Sequence, residues 1–201
     1  KCGRAEEKPP EVLQEYQELV LENPDFAGWI VIDDTAINYP VMQTQEEVEY
    51  YLHRDFKGRN SYAGTPFVGI GNMQDLQNDI FLYGHNMKNG TMFADLLKFQ
   101  RKDFWEAHKT IQLGNRYENT RYTVFAVLCA DESEWTENNG IFFGSFINKR
   151  ANRIEKLIEL GLYETDTVPD IGDPLLFLVT CRQDSRFVVA SFRNPISEGS
   201  E

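Results

Sequence analysis

The sequence predicts a mostly β protein, a mostly antiparallel barrel or sandwich with peripheral helices. Three observations predict it. About eight short runs are rich in aromatic and β-branched residues, as strands are. No strand–helix–strand alternation and no internal repeat runs through the chain. The last two runs, Leu175 to Cys181 and Arg186 to Phe192, are joined by four polar residues, a usual hairpin loop length.

Residues 1–10 are charged and end in Pro9-Pro10, so they read as a tether. From Glu11 to Glu22 the apolar residues Leu13, Tyr16, Leu19 and Val20 recur at helical spacing, and Asn23-Pro24 stops the helix. Gly28–Ile32 and Ile37–Met42 read as strands around the turn residues Asp33-Asp34. Pro40 marks the second as an edge or a bulge. Thr44 and Glu47 have the spacing of a capping box, which predicts a short helix through Val48, Tyr51 and Leu52. Thr65–Ile70 and Ile80–Tyr83 follow as strands, the latter ending at Gly84-His85-Asn86. Phe93–Phe99 and Phe104–His108 read as short helical pieces, and Thr110–Leu113 and Tyr122–Ala130 as strands. A polar, acidic loop leads to a helix over Ser145–Leu160. Phe146, Ile147, Ile154, Leu157, Ile158 and Leu160 mark its apolar side, and Gly161 ends it.

In the closing hairpin the first run is almost wholly apolar, as for a strand buried on both faces. If Cys181 pairs with Arg186, then Val179 pairs with Val188, Phe177 with Ala190 and Leu175 with Phe192. An apolar seam then ends in a thiol beside a guanidinium.

The 201 residues suit one domain, able to bury roughly 70% of its unfolded surface. A net charge of −12 and a pI near 4.7 argue against nucleic-acid partners and polybasic membrane attachment. No apolar run reaches transmembrane length, and the opening Lys1-Cys2-Gly3 leads to the expectation that a signal or anchor has been removed. Cys2, Cys129 and Cys181 form neither a disulfide framework nor a zinc pattern, and no metal or cofactor is expected.

Chemistry is sought among these cysteines and three histidines. Cys129 lies in a core strand and reads as structural, and Cys2 lies in the tail. His53 reads as a solvated helix residue and His108 as exposed. His85, after Gly84 at the mouth of a buried strand, is either an outward-facing functional group or a surface loop residue. Cys181 beside Arg186 is either an activated nucleophile or a buried strand-end thiol beside a solvated cation. Together the three are the parts of nucleophilic catalysis: Cys181 attacks, His85 moves protons, and Arg186 steadies a substrate carbonyl or an oxyanion.

Ile37-Asn38-Tyr39-Pro40-Val41, Ser61-Tyr62-Ala63-Gly64-Thr65-Pro66-Phe67, Leu82-Tyr83-Gly84-His85-Asn86-Met87, Gly90-Thr91-Met92-Phe93-Ala94-Asp95-Leu96, Thr180-Cys181 and Arg186-Phe187-Val188-Val189 resemble, in this order, the sortases, and class B sortases in particular. The resemblance spans about Asn23 to Phe192. It implies an eight-stranded sortase-type β-barrel with N-terminal helices and a long helix before the Cys-bearing strand. The expected division is a tether and helix over 1–22 and a catalytic barrel over 23–201. It implies a cysteine transpeptidase on the extracytoplasmic face of the Gram-positive membrane, N-terminally anchored in its full-length form. Such an enzyme cleaves an Asn-Pro-x-Thr-type sorting signal after Thr, holds the acyl chain on Cys, and passes it to an amine. By position the catalytic residues are His85, Cys181 and Arg186, and Leu52, Phe142 and Thr180 fall at the substrate groove. The implied partners are a sorting-signal-bearing surface protein or pilin, and an amine of peptidoglycan or of a lysine. A binding module that has kept the barrel without chemistry is the alternative of another class. Two features depart from the family's pattern: the loop between Cys181 and Arg186 is short, and Gly69 stands where many relatives carry Asp.

Overall fold

The structure is a computed structural model and describes residues 10–131, 147–182 and 184–195. Eight strands form it: β1 (Phe26–Val31), β2 (Asn38–Met42), β3 (Phe67–Ile70), β4 (Ile80–Tyr83), β5 (Thr110–Asn115), β6 (Asn119–Asp131), β7 (Leu175–Arg182) and β8 (Ser185–Arg193). They close into a barrel in the order β1-β2-β3-β4-β7-β8-β6-β5. The barrel is mixed: β2 and β3 run parallel, as do β4 and β7. Pro40 pairs with Trp29 of β1, while β2 meets β3 only through Met42 and Phe67, so the missing N–H leaves the inter-strand ladder intact.

The hairpin has the expected register, with Leu175 opposite Phe192, Phe177 opposite Ala190, Val179 opposite Val188 and Cys181 opposite Arg186. Pairing continues to Arg182 and Ser185, so the turn is tighter than the four-residue loop expected. The apolar run of β7 is explained by burial on both sides. Leu176 and Leu178 face an inner cluster with Ile30, Leu82, Val127 and Val189. Leu175, Phe177 and Val179 face an outer cluster with Phe81, Leu128 and Val188.

A helix covers that outer cluster: α3 (Ile147–Glu159), after α1 (Gln17–Glu22) and α2 (Lys102–Ala107). Ile154 and Leu157 are its buried apolar contacts. Ile158, expected on the same side, is 37% exposed, and Phe146 lies outside the described residues. In their place the guanidinium of Arg153 is buried, ion-paired with Asp79 at the start of β4. Asp79 also accepts the Leu175 N–H at 3.0 Å. One carboxylate thus joins α3, β4 and β7.

The N-terminal helix is a 3-10 turn over Gln14–Tyr16 continuing into α1, and Leu13, Tyr16, Leu19 and Val20 pack as their spacing predicts. No capping box forms at Thr44. Its hydroxyl donates to the Glu47 carbonyl at 2.5 Å, and the helix that follows is a 3-10 turn over Tyr50–His53. A hydroxyl spent on a carbonyl cannot cap N–H groups. His108 is largely covered: its ring stacks on Phe104 at 4.0 Å, and Nε2 lies 3.4 Å from the Asp34 carboxylate. No helix among the described residues is long and apolar enough to cross a membrane.

Candidate active site

Parallel pairing of β4 with β7 sets Tyr83 beside Val179, so His85 and Cys181 both stand two residues beyond the last paired position. Three hydrogen bonds continue the seam. Gly84 N–H donates to Val179 O (3.2 Å), the Thr180 hydroxyl to Gly84 O (2.7 Å), and the Asn86 side-chain amide to Cys181 O (3.0 Å). Thr180 is buried, so its hydroxyl ties two strand ends together and does not line an open groove.

Cys181 is exposed, and Arg186 Nη1 lies 2.7 Å from its Sγ. A guanidinium is a permanent cation with a fixed fork of donors, suited to a sulfur that carries negative charge. Cys129 differs from its sequence reading. It is half-buried on the inner side of the barrel rim, where Arg182 Nη1 reaches its Sγ at 3.0 Å. Side chains alternate along β7, so Arg182 turns away from the face that carries Cys181 and Arg186.

The His85 ring is oriented by its Nε2, 2.9 Å from the backbone carbonyl of Leu52. A carbonyl only accepts, so Nε2 carries the hydrogen and Nδ1 of the neutral ring keeps its lone pair. Burial lowers the His85 pKa from its ordinary value, and the charge of His53 lowers it further. The Leu52 bond works the other way, because it favours the charged ring. The His53 ring stacks on His85 at 5.3 Å, and the Tyr62 ring lies parallel to it at 6.4 Å. His53 is solvated as expected, but it is also part of this ring cluster.

Two glycines shape the strand beneath. A Cβ on Gly84 would lie 2.7 Å from the Phe93 ring, so only glycine lets that ring press on the chain just before His85. A Cβ on Gly69 would lie 2.4 Å from the Tyr83 ring, so the bare backbone at 69 makes room for the aromatic side chain two residues before His85.

Of the expected site residues, the structure brings Cys181, Arg186, Thr180 and His85 to the adjoining ends of β4, β7 and β8. Leu52 meets His85 through its carbonyl, while its side chain joins the cluster of Tyr16, Phe26 and Tyr51. Phe142 lies outside the described residues. Asn86 and Tyr62 were not singled out from the sequence. Both lie in the segments that carry the family resemblance, and only the fold reveals their contacts.

A sequence model described as the sortase domain matches residues 30–193. Sortase B of Listeria monocytogenes is 41% identical over 178 residues, covering 85% of this chain and 68% of that protein. The crystal structure of sortase B from B. anthracis in complex with AAEK2 superposes with a TM-score of 0.83 at 30% identity, covering 94% of this chain and 87% of the other. A Staphylococcus aureus sortase B–substrate complex also gives 0.83, covering 93% and 88%. At 24% identity that likeness is one of fold.

Proposed function

This chain belongs to the sortase family and is of the class B type, and from that premise we propose that Cys181, His85 and Arg186 carry its transpeptidation. Sortases are enzymes of the Gram-positive cell surface that cleave sorting signals. The S. aureus relative is described as a substrate complex, which supports a sorting-signal-bearing protein as the first substrate here. By resemblance that signal is of the Asn-Pro-x-Thr type.

The observation that carries the reading is the guanidinium of Arg186 on the Cys181 sulfur, at the strand end adjoining His85. The Cys181 sulfur attacks the carbonyl carbon of the signal's Thr. Arg186 donates to the oxygen that becomes negative. His85, protonated on both nitrogens, keeps Nε2–H on Leu52 O and gives the Nδ1 proton to the departing amine as the C–N bond breaks. A thioester remains on Cys181. In the second half-reaction the acceptor amine attacks it, a proton passes to Nδ1, and the C–S bond breaks. Leu52 O accepts from Nε2 in both protonation states, so the ring need not turn between steps. Thr180 and Asn86 position the thiol-bearing strand against the His-bearing one. The acceptor is an amine of peptidoglycan or, in a pilin-assembling role, of a lysine.

The test is mass spectrometry of the enzyme mixed with Asn-Pro-x-Thr peptides. The expected result is one acyl adduct, on Cys181, lost in Cys181→Ala and kept in Cys129→Ala. An adduct on Cys129, or none on a folded enzyme, overturns the assignment.

A further inference from the structure

Tyr62 is 83% exposed, yet the turn that bears it is firmly held. Ser61 N–H donates to His53 O (2.9 Å), Gly64 N–H to Ser61 O (3.2 Å) and Thr65 N–H to Tyr51 O (3.0 Å). The Thr65 hydroxyl adds a bond to Arg54 O at 2.9 Å. Gly64 sits at φ +62°, and a Cβ there would strike the Leu52 carbonyl. That is the same carbonyl that orients His85. A firmly held turn therefore carries a large, exposed aromatic ring beside the general base, its plane 5° from that of the imidazole. Packing does not account for it, because almost none of the ring is buried.

We propose that the face of Tyr62 is the landing site for the second substrate, a primary amine that arrives as an ammonium ion. This rests on the reading of Cys181 and His85 given above. An aliphatic primary amine is protonated near neutral pH. The face of a tyrosine ring attracts a cation within about 6 Å of its centroid. An amine nitrogen within hydrogen-bond reach of His85, on its Tyr62 side, falls near that distance. An approach beside the Arg186 guanidinium, which stands on the Cys181 sulfur, is disfavoured by charge.

The steps balance. The ammonium held on Tyr62 gives one proton to water. The free amine attacks the thioester, its second proton passes to His85 Nδ1, the C–N bond forms and the C–S bond breaks. Cys181 returns as thiolate and His85 as imidazolium.

The experiment compares two nucleophiles on the acyl-enzyme. Glycylglycine arrives charged; hydroxylamine is uncharged near neutral pH. Formation of the acyl-enzyme on Cys181 is followed separately by mass. The expected result is that selectivity for glycylglycine over hydroxylamine falls roughly two- to five-fold in Tyr62→Ala and in Tyr62→Gln, the worth of an exposed cation–π contact. Tyr62→Phe, which keeps the ring face, retains the selectivity. Unchanged selectivity in both Tyr62→Ala and Tyr62→Gln, or selectivity lost in Tyr62→Phe, overturns the proposal. Absence of any acyl-enzyme in the unaltered protein overturns the reading of Cys181, and this inference with it.

Discussion

The Arg186 contact to sulfur has a planar, directional character that a lysine cannot copy. Arg186→Lys keeps the charge and loses the fork. Turnover is expected to fall ~10²–10³-fold, the range for removing one oxyanion donor. Near-normal turnover in steady-state assays would leave Arg186 as a surface charge. The His85 environment predicts a second effect. Burial and His53 hold its pKa below the ordinary 6.5. The acid limb of kcat/KM should therefore lie below pH 6.5, with the limbs belonging to the coupled pair. In His53→Ala one depressing charge is gone, and the acid limb should move up. A limb at or above 6.5 in the parent enzyme would contradict the burial seen here. At this scale the sequence was legible for Cys181 and Arg186, because strand alternation and a short loop leave little choice of register. The partner of His85 was not legible. It is a backbone carbonyl 33 residues away, and side-chain identity says nothing of where a carbonyl points.

At the scale of elements, Asp79 is the joint between α3 and the two strands that carry His85 and Cys181. Asp79→Ala leaves a buried guanidinium without its carboxylate and frees the Leu175 N–H. A loss of about 3–5 kcal/mol is expected, the range for breaking a buried pair from one side. Chemical denaturation measures it, and a loss below 1 kcal/mol would show that α3 is held by its apolar contacts alone. The strands were largely legible as runs. Their parallel neighbours were not, because period-two alternation is the same for parallel and antiparallel pairing. The β4–β7 pair also joins residues 96 positions apart in the chain, such as Tyr83 and Val179, a distance over which local pattern is silent. Thr44 misled for a related reason: the spacing of a capping box does not say whether the hydroxyl will meet an N–H or a carbonyl.

For the whole molecule, the depressed His85 pKa links folding to pH. Between the folded pKa and 6.5 the unfolded chain takes a proton that the folded chain refuses. Stability therefore declines as pH falls through 6.5 and levels off once folded His85 is protonated. His85→Gln removes this contribution, so comparing thermal midpoints of the two proteins between pH 5 and 8 isolates it. Equal pH dependence in both would refute the assignment. The strand pattern alone left barrel or sandwich open, and the barrel was expected only from the family resemblance. The choice is made by contacts between strands far apart in the chain, β4 with β7 and β6 with β8.

The inward turn of Cys129 and the outward turn of Cys181 bear on life in an oxidising medium. The two sulfurs stand on opposite faces of the sheet, with β8 between their strands. Two strand spacings are about 9.6 Å, beyond the roughly 7 Å between Cα atoms that a disulfide can span. Oxidation cannot lock the enzyme by joining these two thiols to each other. Among the described cysteines Cys181 therefore has no disulfide partner and meets oxidants as a sulfenic acid or a mixed disulfide with a small thiol, and both are reversed by ordinary reductants.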